Sequence, residues 1–260
     1  MRILCDRDCH NSLWTGAFTN SKQNAATYKF KHNDITDLEL KLQALKQQLP
    51  DAFICVVVEG IYSLESLSAP LPAVIALKKV YNFCLLVDEA HSFLSMGHGG
   101  RGSFDHWQDL GYDCSLTDCD VMTCMFSKSA GCTGGMVLAR RSLAPLLAQQ
   151  GREAYERGHE QLSTIVLVRL LNILRKPKLI QHRCQTIRKK GLYAASVLER
   201  AGFRVLSFPG SPIICFSVGK MTHETPQDPL TDRTLCLVQV VYDNWQSSKG
   251  LSMAGELQSP

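Results

Sequence analysis

The stretch Leu85-Leu-Val-Asp-Glu-Ala-His-Ser92 decides how the rest of the chain is read. An apolar run closing on Asp-Glu-Ala-His serves two unlike chemistries. Its acids can hold a metal ion for a nucleotide-driven motor that works on nucleic acid. Equally, Asp88 can face a ring bound beyond the strand, with His91 a turn further on. The run at 84–87 is short and continuously apolar, as in a strand covered on both faces. Upstream, residues 53–58 repeat that character with Phe-Ile-Cys-Val-Val-Val. Between the two a helix is expected from near Pro72, because proline suits a first turn. Val74, Ile75, Leu77 and Val80 would then face inward, leaving Lys78 and Lys79 outward. Strand, helix and strand in that order predict parallel pairing with a right-handed crossover.

The alternation continues outward from this unit. Residues 34–50 read as a helix, with Leu38, Leu42, Leu45 and Leu49 at helical spacing, Thr36 as a cap and Pro50 as the stop. Residues 120–126 and 136–139 read as two further strands, the second after a Gly134-Gly135 turn. Helical stretches at 164–175 and 180–201 precede a last apolar strand at 211–218. From about Met221 the pattern decays into proline-rich and polar sequence, with one apolar patch at 235–242. No internal repeat is visible. The expected organisation is a large α/β domain over 1–160, connecting helices over 161–204 and part of a smaller α+β domain over 205–260.

Composition narrows the classes of function. With 260 residues, 45% hydrophobic and 20% charged, the chain has enough apolar sequence for a sizeable core. A net charge of +4, spread along the chain, gives no footprint for nucleic acid. Basic pairs such as Arg140-Arg141 and Lys189-Lys190 read as solvated helix faces. The eleven cysteines never fall as Cys-x-x-Cys, and Cys55, Cys84 and Cys215 sit inside apolar runs. A reducing compartment without disulfides or structural zinc is expected, hence a cytoplasmic location. Asp6-Arg-Asp-Cys9-His10 resembles a metal cluster but no second ligand pair follows it, so no metal is expected. The N-terminus lacks the apolar core of a signal peptide, and no run reaches the about 20 apolar residues that span a bilayer.

The residues just past the strand ends then separate the two chemistries. After Val58 come Glu59, Gly60, Ile61, Tyr62 and Ser63; after Val87, Asp88 and His91; after Phe126, Ser127, Lys128 and Ser129. The nucleic-acid motor needs a phosphate loop, G-x-x-x-x-G-K-[ST], and Gly97-His-Gly-Gly-Arg-Gly102 has no Lys after it. A pyridoxal phosphate enzyme instead needs a Lys to carry the cofactor as a Schiff base and a carboxylate to keep the pyridine nitrogen protonated. It also needs groups that orient the ring oxygen and cover the ring face. Lys128, Asp88 and His91 supply such parts.

The blocks VVVEGIYSLESLSAPLPAVIALKKVYNFCLLVDEAHSFLSMGHGGRGSF and MFSKSAGCTGG, with KFKHNDITDLELKL and the HNS at His10–Ser12, resemble the α-oxoamine synthase family of fold-type I pyridoxal phosphate enzymes. That family includes serine palmitoyltransferase, to whose catalytic subunit the likeness is closest. It covers about residues 5–220. The resemblance implies a mostly parallel sheet flanked by helices, followed by the start of a small α+β domain. It implies pyridoxal 5'-phosphate as cofactor, Lys128 as the amine that carries it and moves the α-proton, and Asp88 against the pyridinium nitrogen. His91 would bond the ring oxygen and the acyl donor's carbonyl, His10 would stack on the ring face, and Ser63 would contact the ring oxygen. His32 would fix a loop.

The implied reaction is the decarboxylative condensation of a serine-like amino acid with an acyl thioester, coenzyme A or carrier bound, giving a 2-amino ketone as in sphingoid base synthesis. A homo- or heterodimer is expected, with recruitment to the endoplasmic reticulum only through a partner. Three departures stand against the family pattern. Met125 occupies the place of a Thr whose hydroxyl binds the cofactor phosphate, and Thr123 is expected to point elsewhere. The upstream phosphate turn is not seen. The small-domain Arg is not recognisable past Met221, nor is the Phe-Ser-x-x-x-Pro-Pro pattern near Ser163 and Thr164. A chain truncated at both ends is therefore expected. The alternatives are a catalytically impaired partner subunit and an aminotransferase on the same fold.

Overall fold

The computed structural model describes residues 1–19, 26–131, 133–154, 168, 170–217 and 235–239. Six strands form the main sheet: β1 (Arg2–Asp6), β2 (Ala26–Phe30), β3 (Ile54–Glu59), β4 (Cys84–Asp88), β5 (Val121–Met125) and β6 (Gly135–Ala139). Their order is β2-β1-β3-β4-β5-β6. All neighbours run parallel except β5 and β6, which pair antiparallel. The chain moves outward from β1 in both directions, so the polar residues at the carboxyl ends of β3, β4 and β5 gather on one rim.

The helices are α1 (Asn11–Thr19), α2 (Ile35–Gln48), α3 (Leu71–Tyr81), α4 (Ser103–Asp109), α5 (Ala144–Ala154) and α6 (Pro177–Arg200). In α2 the leucines at 38, 42 and 45 are buried, as their spacing requires. Its cap is Asp34, whose carboxylate accepts from Asp37 N, and not Thr36. In α3, Val74, Ile75 and Leu77 are buried, with Pro72 in the first turn. Val80, however, is 72% exposed, because the helix ends one residue later and that face leaves the sheet.

Lys78 is the inverse case. It lies partly buried, donating to Asp118 O at 2.6 Å and pairing with Asp120. Asp120 also accepts from Leu85 N at 2.7 Å and pairs with Arg140. A carboxylate at the start of β5 thus draws in α3, β4 and the exit of β6. Helical periodicity had placed Lys78 outward and Arg140 had read as part of a solvated helix face; the acid that recruits them is more than 20 residues away in sequence from each strand and helix partner it gathers except Arg140.

Three elements carry little sequence signal. β1 is only five residues long, β2 alternates weakly, and α1 has a single buried residue, Ala17. They exist because β1 docks between β2 and β3. A second sheet, β7 (Arg204–Val205), β8 (Ile213–Ser217) and β9 (Leu235–Gln239), follows α6 and is antiparallel. The apolar patch at 235–242 therefore supplies an edge strand. Of the stretch expected as helix at 164–175, residues 170–174 are helical, and 164–167 lie outside the described residues, as do Ser163 and most of the tail. The cysteines 5, 9, 55, 84, 114, 119, 124, 184 and 215 are unbridged. Among the described residues no helix is long and apolar enough to cross a membrane.

Candidate active site at the carboxyl rim of the sheet

Ligands of open parallel α/β sheets bind beyond the carboxyl ends of the strands. At that rim Glu59 is in register with Asp88, and Asp88 with Thr123. Register partners in a parallel ladder project to the same side, so the three side chains form one row. Asp88 Oδ1 accepts from Ala90 N at 3.0 Å, which folds the chain back at once into the turn carrying His91.

Lys128 follows β5 in a turn closed by Gly131 N donating to Lys128 O at 3.0 Å. Its Nζ lies 2.7 Å from His91 Nε2. Burial holds the amine below the ordinary lysine value, with Asp88 and Glu59 pulling the other way. Burial first, then Lys128 and His10, drive His91 down to about 4. His91 is therefore neutral at pH 7. An ammonium can only donate, so Nε2 accepts from Lys128 and the ring proton sits on Nδ1. That Nδ1 is buried and has no hydrogen-bond partner.

His10 stands between β1 and α1, close enough to influence the ionisation of His91. Its Nδ1 accepts from Ser12 N at 3.2 Å, which puts the ring proton on Nε2. Its own backbone N–H donates to Glu59 Oε1. Ser63 sits half-buried in the turn after β3 and makes no hydrogen bond to Lys128, His91, Asp88 or His10. Four of the five expected site residues thus meet on the rim, and Ser63 lies beside it unjoined. Thr123 was expected to point elsewhere, but residues two apart on a strand share a face, so it stands in the row two positions before Met125. Its Oγ1 is buried without a partner.

Two acids escaped the sequence reading. Glu59 is 2% exposed and pushed up to about 7, by burial first and by Asp88. Glu89 is fully buried and also raised to about 7 by burial, although Ser92 Oγ, Ser103 Oγ and Ser103 N (3.0 Å) all donate to it. It ties the Asp88–His91 turn to the start of α4. Each had one signal: Glu59 directly follows the apolar run of β3, and Glu89 follows that of β4 one residue later.

Of the Asp6–His10 stretch expected to hold no metal, Asp6 and Asp8 group instead with His32. Asp6, Asp8 and His32 stand close enough to share an ion. His32 instead fills the cluster as its cation: Nδ1 is 2.9 Å from Asp6 Oδ1 and Nε2 is 2.7 Å from Glu65 Oε2. Burial alone would lower its pKa, but the bonds to Asp6 and Glu65 outweigh it and raise it to about 9. Asp6 Oδ2 is taken by Asn33 N at 2.9 Å.

The family model for aminotransferase class I and II matches residues 16–245. Aminotransferase ALT4 of Alternaria alternata is 53% identical over 217 residues, which are 84% of this chain and 27% of that protein. Serine palmitoyltransferase 2 of Kluyveromyces lactis is 33% identical over 226 residues, 82% of this chain and 38% of that one. A solved structure of SPT with PLP is 26% identical with a TM-score of 0.70, covering 85% of this chain and 52% of that chain. The chain thus spans between about a quarter and a half of the proteins it matches. Strand order, rim chemistry and these matches agree: the chain belongs to the class I and II aminotransferase family, and its fold is the fold-type I architecture of pyridoxal phosphate enzymes.

Proposed function

We propose that the rim binds pyridoxal phosphate and that the whole protein condenses an amino acid with an acyl thioester, losing carbon dioxide. The observation that carries this reading is the partly buried Lys128–His91 contact beside Asp88, with its buried and unsatisfied His91 Nδ1. A buried donor left without an acceptor costs about 1–3 kcal/mol. The orphaned Thr123 Oγ1 in the same row is a second such group. Both suit a polar ring entering beyond β4 and β5, so the residues present fit the cofactor's ring and aldehyde. At its phosphate end Met125 offers no hydrogen bond, and the Ser127 and Ser129 hydroxyls are the nearest replacements in sequence.

Lys128 would hold the cofactor's aldehyde carbon, Asp88 its ring nitrogen and His91 its ring oxygen. The cofactor supplies an electron sink for the carbanion left at the amino acid's α-carbon. Burial favours the uncharged, nucleophilic form of Lys128 and fits it to take up that α-proton. Neutral His91 presents Nδ1–H as a donor across the working pH range, and His10 closes the rim from the β1 side.

A second reading, transamination, is favoured by the 53% identity to a relative named as an aminotransferase. The third, a partner subunit without turnover, rests on Met125. The test starts with the absorbance of the full chain plus pyridoxal phosphate: a band on the order of 420 nm, lost in Lys128→Ala, is expected. No band would overturn the cofactor reading. Serine with a long-chain acyl-CoA should then release carbon dioxide and free thiol. A 2-oxo acid without thiol release would instead assign transamination.

A further inference from the structure

Glu59 has no role in the condensation proposed for this rim, yet it lies at its middle. It ends β3, is 2% exposed, and stands in register beside Asp88. Two hydrogen bonds lock this end of β3 to its neighbours. Gly60 N donates to Asp88 O at 2.8 Å, and the Glu59 carboxylate accepts the His10 N–H. The second bond joins β3 to the segment leaving β1, across 49 residues of sequence. Among the described residues it is the one hydrogen bond from the His10 backbone amide to the sheet, and the His10 ring is occupied with Ser12.

We propose that Glu59 is a positioning residue for the cofactor: its carboxylate pins the His10 segment over the rim, so that the His10 ring covers whatever ring Asp88 and Lys128 hold. The inference rests on the cofactor reading above. What is needed here is an accepting oxygen at the reach of a Glu side chain. Glu59 also shares the row with Asp88, where burial keeps it partly protonated at neutral pH and limits repulsion between the two acids.

The experiment is a titration of full-length protein with pyridoxal phosphate, followed by absorbance, on wild type, Glu59→Gln, Glu59→Ala, His10→Ala and the Glu59→Ala/His10→Ala pair. Thermal midpoints without cofactor are measured alongside. Glu59→Gln keeps the accepting oxygen and should bind within about threefold of wild type. Glu59→Ala should weaken binding about tenfold, the loss expected of one hydrogen bond to a charged group. In the double variant the Glu59→Ala effect should largely vanish, because the two residues act in series. A merely structural carboxyl would lower the midpoint and leave the cofactor constant of the folded protein unchanged. That result, or strictly additive effects, overturns the proposal alone. If wild type itself binds no cofactor, the cofactor reading fails and takes this inference with it.

Discussion

His32 shows how far one side chain's environment departs from its sequence context. Lys-His-Asn-Asp reads as an ordinary polar turn, and a loop-fixing role was all the sequence offered. In the fold the imidazole is enclosed by Asp6, Asp8 and Glu65 and lies edge-on to Tyr62. Its pKa rises from about 6.5 to about 9, so the folded state binds the proton more tightly than the unfolded chain. The stabilisation is complete below about pH 6.5 and is lost as pH climbs through 9. At most roughly 3 kcal/mol is involved, from about 1.36 kcal/mol per pH unit. Urea midpoints of wild type should therefore fall between pH 6.5 and 9. His32→Gln should be less stable at pH 6 and should flatten that fall. An unchanged slope in the variant would contradict the cation assignment. Lys128, Asp88 and His91 were legible as residues because their chemistry follows the ends of recognisable strands. Glu59 was in plain view in VVVEG, but its partner amide comes from a segment with no strand signal.

At the scale of elements, the clamp on Glu89 joins the β4 exit to α4. Removing the carboxylate in Glu89→Ala would leave two hydroxyls and a backbone N–H in the interior without an acceptor. A loss on the order of 3 kcal/mol is expected, each orphaned donor costing about 1–3 kcal/mol. For a domain of this size that lowers the melting midpoint by roughly 6–12 °C. Ser92→Ala should cost about 1 kcal/mol, since Ser103 still donates twice. Gly102 caps α4 at φ +89°, and a Cβ there would overlap the same carboxylate. Gly102→Ala should thus resemble Glu89→Ala in calorimetry, whereas a neutral result would mean that α4 is not held through this contact. Helices α2 and α3 were legible from apolar spacing and proline, although the cap of α2 is Asp34 and not Thr36. The outward placement of Lys78 failed because periodicity assigns faces and takes no account of a buried acid opposite.

For the whole molecule, the cofactor reading has a thermodynamic consequence. A ligand that binds the folded state alone stabilises it by RT ln(1 + [L]/Kd), about 2.7 kcal/mol at a hundredfold excess over Kd. The melting midpoint of the full chain should rise by roughly 5–10 °C with pyridoxal phosphate. Lys128→Ala should retain only a fraction of that rise, while pyridoxine, which lacks the aldehyde and phosphate, should give none. Equal shifts for wild type and Lys128→Ala would place the binding elsewhere.

The sequence by itself determined the buried strands, the βαβ crossover and the places of Asp88, His91 and Lys128 just past strand ends, because continuous apolar runs and the residues that end them are local properties; His10 was named only through the family resemblance. Only the tertiary structure decided the strand order with β1 inserted between β2 and β3, the antiparallel turn of β6 and the row Glu59–Asp88–Thr123. It alone gave the Lys78–Asp120–Arg140 and His32 ion clusters. Register and pairing set those distances between residues far apart along the chain, and no window of sequence contains both partners.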